Sequence, residues 1–128
     1  MGGPVAVRQA LLLIAHGSRY DEANDDLRWL AAGLAQHGGY EAIEPAFLEL
    51  AEPTIEQAGE RCVERGAERV LMVPYFLSAG LHVREDLRAA RDELSRRHPQ
   101  VEFLLCEPLG RDERLIDVAL ARIREADR

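Results

Sequence analysis

The feature that most limits the fold is an alternation between two periods. Short apolar runs, "QALLLIA" at 9–15, "ERVLMV" at 68–73 and "VEFLLC" at 101–106, read as strands. Near-continuous apolar runs suit strands covered on both faces, as in a parallel sheet. "EAIEPAFLEL" at 41–50 is a weaker strand candidate with Pro45 inside it. Proline cannot donate to a ladder, which predicts an edge strand or a bulge there. Between these runs the apolar period lengthens to that of a helix. Leu27, Leu30, Ala31 and Leu34 recur at i, i+3, i+4 and i+7. Asp21, Glu22, Asp25 and Asp26 place negative charge at that helix's positive end, and His37-Gly38-Gly39 closes it. A second helix is expected to open at Pro53, carry Ile55, Ala58, Gly59 and Cys62 on one face, and stop near Gly66. A third runs from about Val83 to Arg97, with Leu87, Ala90 and Leu94 inward and Pro99 beyond its end. A fourth follows Asp112 as N-cap, with Leu115, Ala119 and Ile123 in register.

Strand and helix alternate four times. That predicts an α/β fold: a four-stranded parallel sheet with right-handed crossovers, flanked by helices on both faces. The 128 residues suit a single domain spanning 1–128, with its core at about 9–126 and no linker inside it. Composition then excludes several functions. A formal charge of -7 argues against a nucleic-acid partner. All 16 basic residues are arginine, so there is no Schiff-base lysine and no phosphate-loop lysine, and no nucleotide site is expected. No apolar run approaches the roughly 20 residues of a membrane span. The start "MGGPVAVRQA" lacks the charged and apolar regions of a signal peptide, which points to the cytoplasm and away from a membrane partner. Cys62 and Cys106 form no C-x-x-C pair and lie in apolar patterns, so both are expected as buried free thiols.

In open α/β sheets, sites form outside the carboxyl ends of the strands. Strand one exits into His16-Gly17-Ser18-Arg19, and strand two near Phe47-Leu48-Glu49, before Ala51-Glu52-Pro53. Strand three exits into Pro74 to His82, and strand four into Glu107-Pro108-Leu109-Gly110. His16, Glu49 and His82 therefore come from three consecutive exits onto one rim. Two imidazoles and a carboxylate suit a divalent first-row metal, and they accept protons near neutral pH. The other two histidines, His37 and His98, fall at helix C-termini and read as structural. The apolar segment "PYFLSAGLH", with small residues at Ser78, Ala79 and Gly80, reads either as one wall for a flat apolar ligand or as a plain strand-to-helix loop.

"AHGSR", "FLELAEP" and "VPYFLSAGLHVREDL" together resemble the short CbiX/SirB-type sirohydrochlorin chelatases, which are ATP-independent. The resemblance runs from about Leu11 to Ala126 and implies a chelatase-like, flavodoxin-like single domain. It implies insertion of a divalent metal into a sirohydrochlorin-type tetrapyrrole. Co²⁺, for cobalamin biosynthesis, is the favoured metal; Fe²⁺ for siroheme and Ni²⁺ are the alternatives. His16 would ligate the metal and take a proton, His82 would complete the metal site, and Glu49, with Glu52 as competitor, would stand beside the metal. The backbone around Leu77, Ser78, Ala79, Gly80 and Leu81 would contact the macrocycle. Ser18 offers that ligand a donor. Arg19 and Arg84 offer its carboxylates guanidinium forks, which an acidic protein must supply locally. Gly17 is expected to leave space for the planar ligand. One four-stranded unit makes one wall, so a C2 homodimer is expected, cleft facing cleft.

Two readings compete with this one. Strand-then-His-Gly is similar to the Arg-His-Gly element of histidine phosphatases, but Ala15 stands where the phosphate-binding arginine would be. A protein that binds metal or tetrapyrrole without turnover would need the same histidines.

Overall fold

The computed structural model describes residues 6–127. Four strands, β1 (Gln9–Ala15), β2 (Ala42–Phe47), β3 (Arg69–Pro74) and β4 (Glu102–Leu105), alternate with four helices, α1 (Asp21–Ala35), α2 (Ile55–Glu64), α3 (Leu81–Arg97) and α4 (Arg114–Ala126). All pairings are parallel and the order is β2-β1-β3-β4. β2 is an edge strand, as Pro45 requires. Its outward amide at Phe47 is taken by the Pro53 carbonyl at 2.9 Å, while Leu48 N–H turns inward to Ala15 O at 3.0 Å.

Alternation of side chains along β1 splits the core. Ala10, Leu12 and Ile14 face α2 and α3, together with Val70, Met72 and Phe103 from the neighbouring strands. Leu11 and Leu13 face α1, against Leu27, Leu30 and Leu34. Removing a fully buried leucine such as Leu12 would cost about 2–5 kcal/mol. Gly59 lets α2 and α3 approach closely: a Cβ there would stand 2.7 Å from Leu94 Cδ2.

Several helix starts differ from expectation. α2 opens one turn-position later than Pro53. Thr54 is its N-cap and forms a capping box, accepting from Gln57 N–H while Gln57 Oε1 accepts from Thr54 N–H at 2.8 Å. A hydroxyl with a glutamine three residues on outcompetes proline, because the pair satisfies two orphan donors. α3 begins at Leu81, not Val83. Asp112 does cap α4 chemically, accepting from Arg114 N–H at 2.9 Å, although it stands just before the helix's first flanking residue. α4 departs most. Its apolar stripe meets neither core, and none of its residues is buried. Cys62 is buried, but Cys106 is only half-buried. Burial pushes the Cys62 thiol up to about 12, helped by the nearby Glu44 carboxylate.

Candidate functional site

β1 lies between β2 and β3, and the crossovers leave it in opposite directions. α1 covers one face, while α2 and α3 cover the other. The carboxyl end of β1 is therefore the topological switch point, where a crevice opens. His16 is the first residue past β1. Its Nε2 lies 2.8 Å from Glu49 Oε1, two residues past β2, and both side chains are about 57% exposed.

The backbone sets this pair. Glu49 N–H donates to His16 O at 3.0 Å, extending the β1–β2 ladder beyond the strands. Gly17 then turns at φ +104°, and a Cβ on it would lie 1.9 Å from the Glu49 carbonyl oxygen. Its absence of side chain serves this close backbone approach, not the space for a ligand that the sequence suggested. Leu50, directly after Glu49, holds φ +65° without being glycine. That conformation costs about 1–3 kcal/mol and is typical of backbone over-determined by a site.

Ser18 is fixed by a residue that the periodicity did not single out. Buried Asn24, in the first turns of α1, accepts from Ser18 N–H at 3.1 Å and donates to Ser18 O at 3.0 Å. Ser18 Oγ accepts from Tyr20 N–H, which leaves its own proton free to donate. The signal was available: Asn24 stands three residues before Leu27, on the same helical face. Arg19 is exposed beside them.

A cleft of about 270 Å³ runs from His16 and Glu49 between α2 and α3. Glu56 and Asp86 also line it, with Phe47, Leu48, Ile55, Val83 and Ala90 as its apolar parts. Three carboxylates around one imidazole favour a cation. Sequence reading missed Glu56 and Asp86, because each is an ordinary acidic residue in a helical stretch until the fold brings it to the same wall. Glu52 is exposed and does not line the cleft, so the structure brings Glu49 to His16 and not its competitor.

His82 is placed differently from the other two. It is exposed at the second position of α3, one residue from Val83 of the cleft wall. Among the described residues, no three histidine, cysteine or acidic side chains converge on a point that could hold an ion. The metal-ligand trio expected at the rim is thus present as a pair plus an outlying histidine. The donor atoms of one ion with bonds near 2.1 Å stand about 3 Å or slightly more apart, so the His16–Glu49 pair needs little movement to share a metal.

The β3 exit loop presents Leu77 and Leu81 to solvent, with Ser78, Ala79 and Gly80 between them. Arg84 Nε donates to Ala79 O at 3.1 Å and so holds this loop against α3. Arg84 also lies 3.6 Å from Glu107, at the β4 exit. Its fork is therefore partly engaged within the chain.

Comparison with known proteins gives the family. A sirohydrochlorin ferrochelatase of Priestia megaterium is 39% identical over 118 residues, covering 92% of this chain and 44% of that protein. A sirohydrochlorin cobaltochelatase of Sulfolobus acidocaldarius is 32% identical over 116 residues, covering 91% and 90%. The sirohydrochlorin chelatase SirB of Bacillus subtilis subspecies spizizenii, solved in complex with cobalt, superposes with a TM-score of 0.85 at 31% identity, over 93% of this chain and 51% of that one. The chain spans about half the length of the ferrochelatases it matches. The family model described as CbiX matches residues 10–126, from the first residues of β1 to the end of α4, and the chain belongs to that family.

Proposed function

We propose that this chain inserts a divalent metal into sirohydrochlorin, with His16 and Glu49 as the working pair. The observation that carries the reading is their 2.8 Å contact at the switch point, on the wall of an acidic cleft. Insertion exchanges two pyrrole N–H bonds for metal–nitrogen bonds and releases two protons. His16 holds the incoming ion through Nε2 and then takes one proton; Glu49 is the second ligand and second acceptor. A weak two-donor hold suits an ion that must leave for the macrocycle, where a thiolate cage would retain it. His82 joins the metal set from the start of α3. Leu77 to Leu81 form the apolar wall for the macrocycle, and Ser18, Arg19 and Arg84 meet its carboxylates. Glu52 serves the rim without touching the metal.

The chain acts as a single domain and pairs cleft to cleft with a second copy. Two free thiols fit the reducing cytoplasm, and among the described residues no helix is long and apolar enough to cross a membrane. Co²⁺ is the proposed metal, supported by the names of relatives of similar length such as that of Sulfolobus acidocaldarius. Fe²⁺ and Ni²⁺ remain competitors, because imidazole and carboxylate discriminate poorly among them. The gap between His82 and the His16–Glu49 pair favours one second reading, metal binding without turnover.

One experiment separates these. Sirohydrochlorin is mixed with Co²⁺, Fe²⁺ or Ni²⁺ in separate reactions, and initial rates are followed by the change in macrocycle absorbance. The expected result is catalysed insertion, fastest with Co²⁺ and reduced by about 10²-fold or more in Glu49→Gln. Metal binding with no rate above the uncatalysed reaction would establish the binding-only reading.

A further inference from the structure

One amide interrupts an otherwise apolar interior. Among the described residues, Asn24 is the only buried residue that is polar or charged, at 6% exposure. It stands at the fourth position of α1, three residues before Leu27 and on the same helical face. An aliphatic side chain there would lengthen the apolar stripe of Leu27, Ala31 and Leu34. Asparagine also forms helices less readily than leucine or alanine, because its amide competes for backbone groups. Core packing and helix propensity therefore both argue against the residue that is present.

The amide serves the loop before α1 and not the helix itself. Asn24 Oδ1 accepts from Ser18 N–H at 3.1 Å, and Nδ2 donates to Ser18 O at 3.0 Å. A capping side chain would stand at Tyr20 and accept from one of the first amides of α1. Tyr20 makes no such bond. Ser18 lies two residues before that position, so the bonds from Asn24 reach past the helix start and satisfy none of its own free amides.

The loop is thereby clamped on two sides. Gly17 packs against the Glu49 carbonyl, and Ser18 is tied to α1. Two groups stay open. Ser18 Oγ accepts from Tyr20 N–H at 3.1 Å and keeps its own proton to donate. Arg19 is exposed and, among the described residues, pairs with no carboxylate. Acidic neighbours are close at hand in Asp21, Glu22, Asp25 and Asp26, yet it is Arg28 that takes Asp21 at 2.8 Å and Asp25 at 2.6 Å. A free hydroxyl proton and a free guanidinium fork on adjacent residues suit one incoming carboxylate.

We propose that Asn24 is a positioning residue: it holds Ser18 and Arg19 as a carboxylate seat that is formed before the tetrapyrrole arrives. The inference rests on the chelatase reading above and adds the residue that fixes where one carboxylate of the macrocycle lies. Asn24 touches neither substrate nor metal and acts only through the backbone of Ser18. A seat assembled in advance spares binding the cost of ordering the loop. His16 and Ser18 are two residues apart on the clamped segment, so a carboxylate docked at Ser18 and Arg19 also sets the distance from the macrocycle to His16.

The test titrates the whole chain with metal-free sirohydrochlorin and follows the macrocycle absorbance. Asn24→Leu fills nearly the same space without either hydrogen bond. It should raise the dissociation constant by about tenfold or more. Leu30→Ala loosens the same helix without touching the loop and should leave the constant within about twofold. Arg19→Met should weaken binding by a factor similar to that of Asn24→Leu. The two changes together should add less than about threefold to Arg19→Met alone, since the seat is already lost. In insertion assays Asn24→Leu should raise the KM for sirohydrochlorin and leave kcat and the KM for Co²⁺ within about twofold. An unchanged constant in Asn24→Leu, an equal rise in Leu30→Ala, a full further tenfold in the double variant, or a fall in kcat with that KM unchanged would each overturn the proposal. If Asn24→Leu loses the far-ultraviolet circular dichroism of the parent, Asn24→Asp takes its place, because it keeps the acceptor and loses only the donor. It should raise the constant by about threefold or more, and no rise would overturn the proposal. A parent chain that binds no sirohydrochlorin would overturn the chelatase reading and this inference together. A parent that binds, with variants that bind as well, would overturn this inference alone.

Discussion

The same two residue types meet twice in this molecule, with opposite consequences. His16 Nε2 lies 2.8 Å from Glu49 Oε1, and His98 Nε2 lies 2.9 Å from Glu60 Oε1. The first pair stands at the carboxyl rim, more than half exposed, with a cleft beside it. The second sits where α3 ends. There the His98 side chain is only 16% exposed, and its ring lies 6.4 Å from that of Phe103. Its backbone N–H caps α3 through Leu94 O. Arg97 approaches Glu60 at 3.8 Å and, with Arg96, donates to Glu93, holding that carboxyl down at about 2. The His98 pair is therefore packed among two helices and a strand, with its imidazole far less open than that of His16 and its Glu60 carboxylate 37% exposed. A histidine–glutamate contact carries chemistry only where water and ligand reach it.

The largest test of this contrast exchanges the two losses. His16→Ala should lower the metal-insertion rate by about 10²–10⁴-fold with little change in thermal stability. His98→Ala should leave the rate within about twofold and cost about 1–2 kcal/mol of stability. Parallel rate assays and thermal melts would read both, and a rate loss in His98→Ala would break the distinction. Next in size is Gly17→Ala. It adds a Cβ 1.9 Å from the Glu49 carbonyl at φ +104°, so it should cost about 3 kcal/mol and also slow insertion, because the His16–Glu49 geometry cannot survive the shift. A melt unchanged from the parent would show that the two loops are loose enough to accept a Cβ at Gly17.

The two thiols give the smallest and finest version of the same comparison. Cys62 is sealed in the core, and Cys106 is half-buried at the β4 exit. In the native protein a maleimide should label Cys106 and spare Cys62 until the chain unfolds, as peptide mass mapping would record. The sign of the pH effect follows from the raised value. Cys62 stays neutral when folded up to about 12, whereas its ordinary value is near 9. Its contribution to stability is complete below about 9 and is lost as pH rises from there toward 12. Cys62→Ala should flatten that alkaline decline in denaturant melts.

Most of the fold was legible in the sequence because the two periods are clean. The four runs became the four strands, and Pro45 put β2 at an edge. The pairing of His16 with Glu49 was legible only as far as the rim: strand exits bring residues to one end of a sheet, but side-chain contact needs the register of the loop. That register comes from Gly17, whose role depends on a carbonyl 32 residues away in sequence. The separation of His82 was hidden for the same reason, since motif order says nothing about where the first turn of α3 points. The stripe on α4 was also plain, yet a stripe states that a helix will be covered and not by what. Periodicity is a local property, and the covering surface is not.

Pro45 has a consequence beyond its placing of β2. Amides along a parallel strand point alternately to its two neighbours. Leu48 N–H points inward to β1, so positions 43, 45 and 47 point outward. Position 45 has no hydrogen to give, and Phe47 N–H is already bound to Pro53. The outer margin of β2 therefore offers an incoming strand a single free donor, at Ile43. A nascent chain is thereby protected from growing its sheet into a neighbour's, the usual route by which exposed β-margins seed aggregates.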